Sequence, residues 1–332
     1  MKQRFPMPIP FGWFFVHYAD ELAAGEVKAL HYFDEDLVLF RTIDGEVGLL
    51  DAFCPHLGAH LGKGGRAVEG GIQCPFHAWE FDARGFCTKI PYARTMIPRA
   101  RREPLTRSYP VVERDGVIWA WYHPDGIAPT FEVLEHPEFT DPAFDRLRRE
   151  WSFASNPQEI AENGVDVAHF QYVHTMVAVP EGKTEYDGHI RRSRADGHRE
   201  IPNPDGTVRL HPYSASTVQN GAGQKNTRLK GLVELSLAVL ATPVDAENVE
   251  LRFYFAWPAV PHDSPQYQTI QQAIANTCGQ TGVEGDIPIW HNKIHRDRPI
   301  LCDSDGPILR FRRYFEQFYL NYRSPNHLAD AG

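Results

Sequence analysis

The sequence predicts an α+β protein in two parts, a small antiparallel β domain followed by a larger domain of antiparallel sheet covered by helices. Three observations carry this. Hairpin signals recur through the first third of the chain, two long β runs lie at 232–240 and 249–257, and three amphipathic segments follow residue 264. The expected boundaries are 10–125 for the small domain and 126–332, joined by the N-terminal segment 1–9, for the larger one.

In the small domain, "DLVLFRTIDGEVGLLDAF" sets two apolar runs around Asp44-Gly45, a turn pair that favours a tight hairpin. "WEFDARGFCTKI" repeats the device, and "YPVVERDGVIWAWY" places Asp115-Gly116 at its tip. Residues 126–150, rich in proline and charge, read as a connection, and 177–230 show too little periodicity for assignment. In "VELRFYFAW", Leu251, Phe253 and Phe255 alternate with Glu250, Arg252 and Tyr254, which predicts one buried face. Helices are expected from Ser264, with Pro265 at the first helical position, over "GDIPIWHNKI", and over "DGPILRFRRYFEQFYLNY". In the last, Ile308, Phe311, Phe315, Phe318 and Tyr322 form one stripe.

The 332 residues suffice for two cores, and 43 acids against 34 Lys+Arg give a net charge of -9 and no reason to expect nucleic acid. No apolar run approaches the ~18 residues needed to span a bilayer, and the proline-broken N-terminus lacks a signal-peptide core. A cytoplasmic location is the default expectation. Five cysteines do not make a disulfide scaffold; Cys87, Cys278 and Cys302 are expected as small buried hydrophobes.

The remaining cysteines stand beside histidines. Cys54-Pro55-His56 and Cys74-Pro75-Phe76-His77 form a C-x-H-x17-C-x2-H pattern. Tetrahedral zinc is the plain reading of two Cys and two His, but zinc sites usually group the cysteines first and the histidines later. One Cys and one His from each loop suits a two-iron cluster, one iron held by both thiolates and the other by both imidazoles, which raises its potential. Gly58, Gly62, Gly64 and Gly65 allow a tight loop whose N–H groups reach the sulfides, and the prolines stiffen it. The pattern resembles the Rieske [2Fe–2S] signature, with Ala78 where that family more often has glycine.

A second constellation is "EIAENGVDVAHFQYVHTM". Asp166 and His169 share a helix face, whereas His169 and His174 would point ~140° apart on an ideal helix. Both can reach one ion only if the helix ends or bulges between them. Two imidazoles and a carboxylate form the ligand set of non-haem Fe(II) oxygenases; surface histidines and a surface acid are the alternative.

Together the motifs resemble the Rieske non-haem iron oxygenases, the aromatic ring-hydroxylating family, through Glu162, Asn163, Asp166, His169 and His174 of E-N-x-x-D-x-x-H-x4-H. The resemblance nominates Asp286, in "VEGDIPIWHNK", as third iron ligand, with Asp297, Asp303 and Asp305 as rivals and a helix-capping role as the alternative. It implies one [2Fe–2S] cluster and one mononuclear Fe(II) per chain, O2 as co-substrate, and a homotrimer. In that ring, Asp166 bridges an iron-ligand histidine to His56 or His77 of the next subunit. No nucleotide fingerprint is present, so NAD(P)H acts through a separate reductase, with or without a ferredoxin.

The resemblance is strongest to the 3-ketosteroid 9α-hydroxylase and cholesterol 7-desaturase subgroup and covers nearly the whole chain. It implies hydroxylation of a hydrophobic, steroid-like substrate in a largely apolar pocket, with desaturation or O/N-demethylation as alternative outcomes. Asn163, Phe170, Met176, Val177 and Trp290 are the pocket candidates. A Rieske electron-transfer protein is the alternative of another class.

Overall fold

The computed structural model describes residues 4–174, 181–202 and 205–322. The chain divides into two compact units, Trp13–Glu132 and Met1–Gly12 with Val133–Gly332. Met176 and Val177 lie outside the described residues.

The small unit is built of short antiparallel strands. β1 (Gly12–Tyr18) joins a three-stranded sheet with β9 (Val111–Arg114) and β10 (Val117–Tyr122); β2 (Val27–Tyr32), β3 (Glu35–Arg41) and β4 (Val47–Asp51) form another. A four-stranded sheet runs β5 (Arg66–Val68), β6 (Gly71–Gln73), β7 (Glu80–Phe81) and β8 (Cys87–Lys89). All three expected hairpins are present. Asp115 and Gly116 both have positive φ (54° and 76°), the paired left-handed geometry that matches strand twist. The expected connection starts later than its composition suggests, because the indoles of Trp121 and Trp13 donate to the carbonyls of Ile127 and Phe131, tying that stretch to the small unit.

The large unit is a seven-stranded antiparallel sheet in the order β11-β17-β16-β15-β14-β13-β12. Its strands are β11 (Phe144–Ala154), β12 (Glu181–Asp187), β13 (Ile190–Pro202), β14 (Val208–Asn220), β15 (Gln224–Lys230), β16 (Glu234–Pro243) and β17 (Asn248–Pro258). The unassignable stretch is therefore mostly strand. Much of β14 stands in solvent, so no buried face imposes an alternating pattern on its sequence.

β17 departs from the one-buried-face expectation, since Arg252 and Tyr254 are buried too. Arg252 reaches Glu150 and Glu250, and the Tyr254 ring stacks on Phe139 at 4.1 Å, so partners make that face inhabitable.

Among the described residues, five helices accompany the sheet: α1 (Pro157–Glu162), α2 (His169–Tyr172), α3 (Pro265–Cys278), α4 (Val283–Asn292) and α5 (Ile308–Phe315). Ser264 caps α3 by accepting from the N–H of Tyr267. The last segment is helical only to Phe315 and then tightens into a 3₁₀ turn, Glu316–Phe318. The core lies between β11, β16 and β17 and helices α1, α3 and α4. Trp290, expected as a pocket wall, belongs to this core and stacks on Phe153 with ring centroids 5.6 Å apart. Cys87 and Cys278 are buried as expected, but Cys302 is exposed on the loop before α5.

Buried ion pairs fasten α1 to the C-terminal segment. Arg312 donates from Nε and Nη2 to Glu162 at 2.7 and 2.9 Å. Burial opposes the Glu159 charge, but hydrogen bonding to His295 and the Lys293 ammonium at 2.6 Å outweigh it and hold its pKa down to about 2. The N-terminal segment joins the same unit, with Arg4 donating to the carbonyls of Trp290 and Lys293 at the end of α4.

Candidate metal centres

The first centre is assembled by two similar turns. The amide of Gly58 bonds back to the Cys54 carbonyl and that of Ala78 to the Cys74 carbonyl. Each turn thus presents a buried cysteine first and a partly exposed histidine after it. Cys54 and Cys74 are 2% and 3% exposed and sit in one apolar cluster with Leu61, Ile72 and Phe81. The rings of His56 and His77 lie 4.7 Å apart.

Close packing fixes this geometry. A Cβ on Gly65 would stand 2.1 Å from the Leu61 carbonyl oxygen, so only glycine fits there. Ala78 has φ +56°, the left-handed conformation glycine tolerates best, so the departure noted in the sequence falls at a strained position. Trp79, which the sequence reading passed over, stacks on His56 at 4.5 Å and donates from its indole to the Tyr92 hydroxyl. His60, a third histidine in the stretch, is occupied instead as acceptor for the Gly62 amide.

The donor set fits a two-iron cluster. Burial, with Cys74 beside it, pushes the Cys54 thiol up to about 11, so a thiolate there needs adjacent positive charge. Nδ1 of His77 is buried without a hydrogen-bond partner among the described residues, an orphan that a metal bond would satisfy.

The second centre draws on distant segments. α2 begins at His169 and ends at Tyr172, so His174 lies past the helix and is free of the ideal-helix divergence. His169, His174 and Asp286 each offer a ligand atom, and these atoms lie within 4.8 Å of one another. Nε2 of His174 is 3.3 Å from Oδ2 of Asp286. Asp286 is not a cap. Gly282 occupies the N-cap position of α4, and Asp286 lies one turn inside, 7% exposed.

The rival acids are used elsewhere. Asp297 lies near Nε2 of His295 at 3.7 Å, Asp303 accepts from Ser304, and Asp305 accepts from the Cys302 amide.

The surroundings orient the imidazoles. Nδ1 of His169 contacts the backbone carbonyl of Asp166, which leaves Nε2 as the lone-pair nitrogen, 3.2 Å from the Asn163 amide. Burial lowers the His169 pKa against the pull of Asp286 and Asp166, favouring the neutral form a metal needs. Phe170 packs against both imidazoles, with centroids 4.3 and 5.5 Å away. The Asp166 carboxylate is 40% exposed and 3.9 Å from Nδ1 of His169. Two imidazoles and one carboxylate match the donor set of a facial Fe(II) site, and Nδ1 of His174 is a further buried orphan among the described residues.

Residues 12–110 match the Rieske [2Fe–2S] domain. With that domain joined to a helix-covered antiparallel sheet, the protein is a Rieske-type oxygenase. Residues 120–319 match the 3-ketosteroid 9α-hydroxylase C-terminal domain, and the chain belongs to that family. It is 32% identical to a probable 3-ketosteroid-9-alpha-monooxygenase oxygenase component of Rhodococcus rhodochrous, covering 93% of this chain and 80% of that protein. It is 31% identical to a cholesterol 7-desaturase of Bombyx mori, covering 96% of this chain and 71% of that protein. Its fold is similar to the crystal structure of dicamba monooxygenase bound to dicamba, with TM-score 0.71, 22% identity and 94% and 98% of the two chains covered. No helix among the described residues is long and apolar enough to cross a membrane.

Proposed function

We propose that this chain is the oxygenase component of a multicomponent monooxygenase that hydroxylates a hydrophobic, steroid-like substrate. The observation that carries the reading is the convergence of His169, His174 and Asp286 within 4.8 Å in the domain that matches the 3-ketosteroid 9α-hydroxylase family. In this reading Cys54, His56, Cys74 and His77 hold a [2Fe–2S] cluster, and the triad holds one Fe(II). The cluster supplies single electrons and the iron supplies the place where O2 is activated.

The protein's own residues orient and connect. The Asp166 carbonyl fixes the His169 tautomer while the Asp166 carboxylate, exposed beside it, faces outward to receive His56 or His77 of a neighbouring chain in a head-to-tail trimer. Asn163 and Phe170 bound the triad and serve as pocket residues. A separate NAD(P)H-dependent reductase delivers the electrons, in keeping with the relatives named as oxygenase components, and the assembly works in the cytoplasm.

Desaturation is the second reading, favoured by the 31% identity to a cholesterol 7-desaturase. The test is incubation with a surrogate reductase, NADH, O2 and a panel of 3-ketosteroids, sterols and aromatic ethers, with products read by mass. Hydroxylation adds one oxygen to a steroid; desaturation removes two hydrogens. Absence of product from every steroid would overturn the substrate class.

A further inference from the structure

The segment between Asn163 and His169 is held from two sides. Its amides turn back on α1: that of Gly164 donates to the Ala161 carbonyl, and those of Val165 and Asp166 to the Glu162 carbonyl. Its carbonyls serve other partners. That of Asp166 meets Nδ1 of His169, and that of Gly164 accepts from Nη1 of Arg191 at 3.2 Å. Arg191 stands on β13, 0% exposed, and its Nε donates to Oε1 of Gln219 at 3.0 Å. Gln219 lies directly opposite on β14 and is itself tied down, its Nε2 donating to the Gly221 carbonyl at 3.1 Å. One planar guanidinium therefore joins the sheet to the segment that carries His169, with its donors used at fixed angles.

This is a poor route to stability alone. Among the described residues no carboxylate pairs with Arg191, and its Nη2 is buried without a partner. Lys225, opposite Gln219 on β15, adds a second cation rather than an anion. The Phe311 ring, 5.6 Å from the guanidinium carbon, compensates only in part. A buried, incompletely paired charge stabilises a fold less than an apolar side chain of similar volume. The fit around it is nevertheless close. A Cβ at Gly164 would stand 2.8 Å from Nη2 of Arg191, and one at Gly306 would stand 2.4 Å from the Val165 carbonyl oxygen. Gly164 is not among the glycines with positive φ, so what its missing side chain permits is the approach of Arg191 rather than a backbone turn.

We propose that Arg191 is a positioning residue for the metal triad: by holding the Gly164 carbonyl to the sheet, it sets where the Asp166 carbonyl, and through it the His169 imidazole, stands. Gln219 orients the guanidinium, and the bare face of Gly164 admits it. The inference rests on the reading of His169, His174 and Asp286 as an Fe(II) site, and adds the support on which the geometry of that site depends.

The test uses the full-length protein with its cluster assembled. The Fe(II) affinity of the triad is measured anaerobically by competition with a ferrous chelator, with cluster absorbance as the internal control. Paramagnetic resonance of the Fe(II)–nitric oxide adduct, recorded with the cluster oxidised and silent, reports the ligand geometry. Arg191→Met should weaken iron binding about tenfold, the lower end for outer partners of metal ligands, and change the line shape of the adduct. A merely structural role would lower the melting temperature and leave the line shape of the folded protein as it is. Gly164→Ala should cause a like change by displacing the guanidinium, and should add little in the Arg191→Met background. An unchanged line shape in folded Arg191→Met would overturn the inference. So would a wild-type line shape in Gly164→Ala, even if Arg191→Met failed to fold, or equal effects of Gly164→Ala on affinity in both backgrounds. A wild type that takes up no Fe(II) at the triad would instead overturn the oxygenase reading, and this inference with it.

Discussion

The two donor sets are built on opposite plans. Cys54, His56, Cys74 and His77 come from two similar turns of one short stretch, and each turn closes on its own carbonyl. His169 opens a four-residue helix and His174 lies just past its end, while Asp286 arrives from a separate helix late in the chain. The first set is a property of local loops braced by a small core; the second exists only when α4 packs beside the α2 segment. A locally closed site tolerates trouble elsewhere in the molecule, and a converged one does not.

The sharpest way to break this comparison is Asp286→Ala. With Asp286 as the proposed third ligand, its loss should lower product formation by more than ~100-fold, beyond the effect of losing an outer-shell partner. Metal analysis should fall from three irons per chain to two while the red-brown cluster absorbance persists. Loss of both metals would show that the sites are not independent.

Asp166→Ala probes connection rather than ligation. The backbone carbonyl that contacts His169 survives the substitution, so three irons should remain while single-turnover product yield falls to near background. A normal yield would remove Asp166 from the electron path.

Glu162→Ala tests how far the converged site depends on its supports. Removing one partner of the buried Glu162–Arg312 pair is expected to destabilise the large unit by about 3–5 kcal/mol. Chemical denaturation should show that loss in the large unit, with the cluster absorbance of the small unit melting as before.

The smallest effect belongs to the local site. Ala78→Gly relieves a left-handed alanine and should raise the stability of the small unit by about 0.5–1 kcal/mol, read from the melting of the cluster absorbance. A decrease would mean that the alanine methyl packs usefully enough to offset its backbone strain.

Legibility in the sequence followed the same division. Asp44-Gly45 and Asp115-Gly116 announced their hairpins because turn chemistry is local. The turn at Phe33-Asp34 announced nothing, since Phe33 holds a φ of 62° while its buried ring stacks on Tyr122 at 4.6 Å. That preference is created by the neighbours. The burial of Arg252 and Tyr254 was hidden for a similar reason, as the partners that accept them come from β11 and the 3₁₀ turn at Phe139.

The Cys/His pairs, the His169/His174 motif and the family itself are legible in the chain, because each depends on residues close together along it. Which of Asp286, Asp297, Asp303 and Asp305 faces the histidines, and that Trp290 belongs to the core, emerge only on folding. Folding likewise set Arg191 and Lys225 on either side of Gln219 across three strands. Those outcomes depend on strand register and helix docking, and distances between remote segments leave no local pattern in a chain to be read.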